Sequence, residues 1–416
     1  MSSPLSHLKV VEMATAIQGP AAGLFLSDMG AEVIKVEPPL GEMNRYFRGV
    51  NNSLPPQAPG SQFVAMNRGK QSVCLDIHTE SGLQAVQRLL ARADVFLSNY
   101  RESALGRMGL DFENVKQLNP QIIYAHANGY GPLGPDADKM MLDGAAIARG
   151  GLASITGSEE TGPLAPGATT ADTAGAMQFA LAIMTALVAR ASDGQGQKVQ
   201  TSALGAQLWL QMWELTHVWM TGSLLKRSGP HHGNIPGPYG IYETADLGYF
   251  LFAIAASDES WDQFWIFVDD PLQAMDPKWD SPAKRLGAVA SEQDAHEIQQ
   301  RMRAAFKTKT TEQWQAFLAT QPDIVYEKVQ NYDEVRTDPQ VLANNYTEQI
   351  HLEHIGETLM VGNLISFSET SPAIKGVPPG LGVDTESVLR DLGFSSDEIE
   401  SVIRHADSER EKFDLG

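Results

Sequence analysis

Strand-like runs and helical stretches alternate through the first 130 residues, and no other feature restricts the fold of this chain as tightly. LKVVEMA (8–14) predicts a strand, GPAAGLFLSDMG (19–30) a helix stopped by glycine, and AEVIKVE (31–37) the next strand. SVCLDI (72–77), DVFLSN (94–99) and QIIYAHA (121–127) extend the series, with SGLQAVQRLLARA (81–93) as a helix between two of them. Strands joined by helical crossovers pair in parallel, so the pattern implies a doubly wound, Rossmann-like α/β sheet. Ligands of such sheets sit beyond the carboxyl ends of the strands.

GATTADTAGAMQFALAIMTAL (167–187) puts Asp172 at the head of a long uncharged segment that fits a buried helix. An acid there caps the helix, by accepting from first-turn N–H groups that lack partners, or serves chemistry. KVQTSA follows, then a helical stretch with Trp209, Trp213 and Trp219, best explained by core or interface packing. At GPHHGNIPGPYG (229–240) the composition turns to Gly, Pro and His. The strand-like IYETADLGYFLFAIA and several helices then suggest a smaller α+β domain. The expected organisation is a large domain of residues 1–228 and 341–416 and a small one of 229–340. The tail HADSEREKFDLG reads as a solvated end.

A net charge of −20 repels nucleic acid and anionic membrane surfaces, so an anionic ligand must be held by local donors. One cysteine, Cys74, excludes an internal disulfide framework and a cysteine-rich zinc site; in SVCLDI it reads as a buried thiol. The N-terminus lacks a basic region leading into a long apolar run, and no stretch holds about 18 uninterrupted apolar residues. A cytoplasmic protein is expected.

Gly129, Gly131 and Gly134 fit G-x-G-x-x-G, but late in the sheet, with Pro132 inside and a loop following, which argues against a dinucleotide site. RGKQS lacks the glycine spacing of a phosphate loop, and no G-x-S-x-G elbow occurs. His231 and His232 are adjacent, awkwardly placed to share one metal, and read as loop residues. No metal site is expected.

LKVVEMATAIQGPAAGLFLSDMGAEVIKVEPPLGEMNR, NRGKQSVCLDI, DVFLSNYRESALGRMGLDFE, IIYAHANGYGPLGP, GATTADTAGAMQFALAIMTAL, NIPGPYGIYETADLGYF and GLGVDTESVLRDLGFSSDEIESVI, in that order, resemble the class III CoA-transferases. That family also contains the α-methylacyl-CoA racemases. The resemblance implies two interlocked, ring-like subunits with the active site bordered by both. It makes Asp172 the nucleophile that exchanges CoA between an acyl-CoA and a carboxylic acid through a mixed anhydride and an aspartyl thioester. It assigns CoA contacts to Asn99, Tyr100, Arg107, Lys139 and the backbone of Ala16 and Ile17. Asp143 would support the catalytic segment, although it could equally cap the helix DGAAIA. Gly237, Tyr239 and Gly240 correspond to a mobile glycine loop, here with fewer glycines. CoA enters as a substrate moiety, and no tightly bound cofactor is implied.

The racemase branch needs a histidine immediately before the Asp143 position, and this chain has Leu142, which cannot shuttle a proton. Transfer is therefore favoured over racemisation. Smaller departures are an inserted Leu247 and Asp384 in place of a frequent histidine. A non-catalytic CoA-ester-binding protein stays open as an alternative, whereas a dehydrogenase rests only on the misplaced glycines.

Overall fold

A computed structural model of the chain describes residues 3–285, 291–374 and 376–412. It divides into two compact units, one of Met1–Gly150, Gly167–Leu210 and Arg336–Gly416, the other of Gly151–Pro166 and Gln211–Val335. Segments 151–166 and 211–228, which the composition shift at 229 leaves with the large domain, cluster with the second unit. Hydrogen bonds explain this: the Gly229 N–H donates to the Gly157 carbonyl, and Arg227 donates to the carbonyls of Ser154 and Ser158. Composition carries no trace of such pairings.

The first unit contains β1 (Lys9–Met13), α1 (Gln18–Asp28), β2 (Glu32–Glu37), α2 (Ser61–Asn67), β3 (Gln71–Cys74), α3 (Glu80–Leu90) and β4 (Val95–Ser98). They are followed by α4 (Glu102–Arg107), α5 (Phe112–Leu118), β5 (Ile123–Asn128), α6 (Asp143–Arg149), a long helix (Thr170–Asp193) and a sixth strand (Gln197–Ser202). The strands form one sheet, every neighbour parallel, in the order β3-β2-β1-β4-β5 and then the sixth. The order reverses between β1 and β4, which opens a crevice there.

Both faces of the sheet are covered, which is why its strands are nearly continuous apolar runs instead of alternating ones. Val11, Val36, Val73, Phe96 and Tyr124 face one core with Val86 and Leu89 of α3. Val10, Val33, Val95 and Ile123 face the other, with Leu26 of α1 and Phe179 and Ile183 of the long helix. Each such side chain contributes about 1.5–3 kcal/mol by leaving water. By length and composition the long helix could cross a membrane, but its Phe179 and Ile183 lie in this core. Cys74 is buried in β3.

In the second unit an antiparallel sheet of Gly240–Glu243, Tyr249–Ala255 and Ile324–Lys328 packs on an aromatic core that includes Trp261, Trp265, Trp279 and Trp314. The inserted Leu247 lies between the first two strands, with φ of +65°.

Trp209, Trp213 and Trp219 are all exposed on the two sides of the helix break at Gln211 and none joins a described core, so the core half of their expected packing is corrected and the interface half is left standing. The tail is also not simply solvated: Ser396–Lys412 is a helix, with His405 Nε2 2.8 Å from Asp76 Oδ2 and Arg410 donating to the Pro39 carbonyl. Such partners lie more than 300 residues away in sequence. The last four residues fall outside the described ones.

Candidate active site

The crevice at the strand reversal is walled by the segments that follow β1 and β4. Asn99 ties them together, its Oδ1 accepting from the Thr15 N–H at 3.0 Å and its Nδ2 donating to the Thr15 carbonyl at 2.7 Å. Between them the backbone of Ala16 is forced to φ +65°, a left-handed conformation that costs a non-glycine residue on the order of 1–2 kcal/mol.

β5 supplies the next wall. Its carboxyl end places His126, Asn128 and Gly129 on a cavity of about 230 Å³ that Ala16, Ile17, Asn99, Tyr100, Lys139 and Asp172 also line. Residue 129 must be glycine, because a Cβ there would come within 2.5 Å of the Met141 Cβ. That close approach seats the 137–142 segment over the end of the strand. Leu142 and Arg101 complete this side.

Asp172 is the third residue of the long helix. Its side chain is 9% exposed, and among the described residues no donor hydrogen-bonds its carboxylate. The helix end is satisfied otherwise: the Asp172 N–H donates to Asp143 Oδ1 at 3.0 Å. Asp143 thus does the capping and leaves the Asp172 oxygens to the cavity. Burial first, and then the nearby Asp143 carboxylate, push the Asp172 carboxyl up to about 6. Above that pH a poorly stabilised anion faces the cavity, as a nucleophile requires.

Further polar atoms are orphaned at the same place. His126 Nε2 lies 2.7 Å from the Tyr100 carbonyl, which fixes that nitrogen as the N–H and leaves Nδ1 a bare acceptor. Asn128 Oδ1 accepts from the Gly131 N–H at 2.6 Å, so its Nδ2 is a free donor. These two atoms and Gln18 Nε2 are buried without hydrogen-bond partners among the described residues. Buried polar groups are normally paired, so their concentration on one cavity marks a place for a polar ligand.

Tyr100 also lines a second cavity of about 590 Å³, walled largely by apolar side chains including Met13, Leu75, Ile77 and Met108. Lys139 and Arg101 are exposed cations on the smaller cavity. Arg107 is exposed in the last turn of α4, and neither cavity includes it.

Gly237, Tyr239 and Gly240 belong to the second unit. There Gln299 donates to the Gly237 carbonyl, and His231 Nδ1 lies 2.9 Å from the Tyr239 carbonyl. A Cβ at Gly240 would strike the His231 ring. The adjacent histidines diverge, since His232 Nε2 approaches Glu214 Oε1 at 3.1 Å. Among the described residues no group of three or more His, Cys, Asp or Glu could hold a metal ion.

Residues 5–385 match the family model of CoA-transferase family III. The chain belongs to that family. It is 30% identical to a succinate–glutarate CoA-transferase of Agrobacterium fabrum, over 94% of this chain and 96% of that one. It is 28% identical to the human succinyl-CoA:glutarate CoA-transferase, over 94% and 86% of the two chains. The crystal structure of a CAIB/BAIF family protein from Brucella suis superimposes with a TM-score of 0.82 at 28% identity, covering 94% of this chain and all of the other. The protein is an enzyme of the CoA-transferase type.

Within this family III enzyme, motif position alone did not single out Gln18, Arg101, His126 or Asn128. A signal existed for two of them. His126 and Asn128 are polar residues at the carboxyl end of an otherwise apolar strand, where a wound sheet places its ligands.

Proposed function

We propose that this enzyme moves CoA from an acyl-CoA to a small carboxylic acid with Asp172 as the nucleophile. The observation that carries the reading is a buried carboxylate on a cavity wall with no donor bonded to it. The Asp172 carboxylate attacks the thioester carbon, forming an acyl-aspartyl anhydride and releasing CoA thiolate. The thiolate then attacks the aspartyl carbonyl, which frees the donor acid and leaves an aspartyl-CoA thioester. The acceptor carboxylate repeats the sequence in reverse, so that aspartate is regenerated and no proton is consumed. Orphaned donors such as Asn128 Nδ2 are suited to the oxyanion that forms as each carbonyl is attacked.

The larger cavity, which shares Tyr100 as a wall with the smaller, has the volume and apolar walls to take part of the CoA moiety, and Lys139 and Arg101 supply cationic donors for its phosphates. The named substrates of the relatives, succinate and glutarate among them, set the first acids to screen. Transfer is favoured over racemisation because Leu142, on the cavity where the racemase branch carries a histidine, has no proton to give.

The reading includes an interlocked homodimer. Met177, Leu181 and Val188 leave one stripe of the long helix exposed, and Leu364, Ile365 and Phe367 are exposed on a segment without regular structure. Burying such surface between two copies would explain both, and a monomeric mass by sedimentation would exclude it.

Incubation with a competent acyl-CoA followed by hydroxylamine should convert Asp172 to a hydroxamate detectable by peptide mass spectrometry. Turnover without that label, or with a label on another residue, would remove Asp172 from the role.

A further inference from the structure

Two lysines are buried beneath the β1–α1 turn, and neither belongs to the chemistry described above. Lys35 in β2 and Lys70 just before β3 both have fully inaccessible side chains. Lys35 Nζ donates to Glu12 Oε1 at 2.9 Å and to the Ala14 carbonyl at 2.8 Å, and pairs with Glu42 Oε2 at 2.6 Å. Lys70 Nζ donates to the Pro20 carbonyl and to Asn67 Oδ1, each at 2.8 Å, and pairs with Glu12 Oε2 at 2.8 Å. An ammonium has three donors, and each of these spends one on a backbone carbonyl.

Those two carbonyls flank the cavity wall. Ala14 ends the strand side and Pro20 lies in the first turn of α1, with Thr15, the strained Ala16 and Ile17 between them. Glu12 joins the two lysines from below, and α1 closes over it only because residue 23 is glycine, whose Cβ would otherwise come within 1.9 Å of Glu12 Oε2. A left-handed alanine persists only where its surroundings over-determine it. A buried ion network is also a costly device for stability alone, since apolar side chains of similar volume often do as well.

We infer that Lys35 and Lys70 are positioning residues for the CoA-transfer reaction, clamping the carbonyls of Ala14 and Pro20 so that the strained Ala16–Ile17 wall keeps its shape against the cavity. This rests on the reading of the Asp172 cavity as the active site. The lysines act through the backbone and touch no substrate.

The test compares Lys35→Met and Lys70→Met with Arg68→Met in the full-length enzyme. Arg68 makes an equally buried ion pair with Asp28 at the opposite end of α1, away from the turn. All three variants should melt earlier. At a temperature where each is folded, only the lysine variants should lose kcat/KM, by about tenfold or more, as expected for a wall displaced by a fraction of an ångström. Adding Ala16→Gly to Lys70→Met should recover most of the loss, because glycine adopts the left-handed conformation without strain. Lysine variants that match Arg68→Met in kcat/KM, within about twofold, overturn the inference. Should Lys70→Met not fold, Lys35→Met alone carries the test through the Ala14 carbonyl, and a kcat/KM within about twofold of Arg68→Met overturns the inference equally. Hydroxamate trapping on the wild type separates the two layers: a missing Asp172 label defeats the active-site reading, whereas a normal label with indifferent lysine variants defeats only the clamp.

Discussion

Glu12 and Asp172 are both buried carboxylates of the first unit, and their surroundings are opposite. Glu12 is held between two ammonium groups at 2.9 and 2.8 Å and its side chain is wholly inaccessible. Asp172 has another carboxylate, Asp143, for a neighbour, and among the described residues no donor bonds its side chain. A charge that holds structure together is neutralised where it lies. The proposed nucleophile is left under-solvated, and folding carries the cost. Glu37 shows the first pattern again: burial raises its pKa, but Arg45, Lys35 and Ser72 outweigh that and hold it below the ordinary carboxylate range.

Amide substitution tests this contrast most strongly. Asp172→Asn should lower kcat by at least about a thousandfold, since the amide cannot form the anhydride. Its effect on stability should have the other sign. The folded Asp172 pKa of about 6 lies above the unfolded value of about 3.9, so its contribution to stability is lost as pH rises between them. Above pH 7 the variant should be about 2–3 kcal/mol more stable than the wild type, with the difference vanishing near pH 4. An unchanged or lowered melting temperature at pH 7.5 would show that the carboxylate is better solvated than its surroundings imply.

Glu12→Gln should do the reverse. It leaves two buried ammonium groups without their shared counter-charge and should cost about 3–5 kcal/mol in denaturant unfolding. A loss below about 1 kcal/mol would break the contrast.

The smallest effect should come from Asp143→Asn. The amide oxygen can still accept from the Asp172 N–H, but the like charge is gone, so the acid limb of kcat/KM, expected near 6, should move to lower pH. A limb that stays in place would make burial the sole cause of the shift.

How much of the site was legible differs residue by residue. Asp172, Asn99 and Tyr100 stand in motifs, and each is fixed by local sequence: a helix start for one, the carboxyl end of a strand for the others. Gln18 adjoins the Ala16–Ile17 pair, yet one glutamine at a helix start has no distinguishing spacing. Its packing against Gly175, where a Cβ would lie 2.6 Å from Gln18 Nε2, joins residues 157 positions apart. The clamp on Ala14 and Pro20 was equally hidden, because GAEVIKVE and NRGKQS show two ordinary lysines until the sheet stacks their strands.

The sequence by itself determined the wound sheet, the parallel order implied by its crossovers, the family and the acid at the head of the long helix. These depend on periodicity and local motifs, which operate over a few residues. Only the tertiary structure decided which carboxylate is paired and which is bare, that Asp143 caps the helix in place of Asp172, and that 151–166 and 211–228 join the second unit. Pairing and desolvation depend on distances between groups far apart in the chain, and no local pattern encodes those distances.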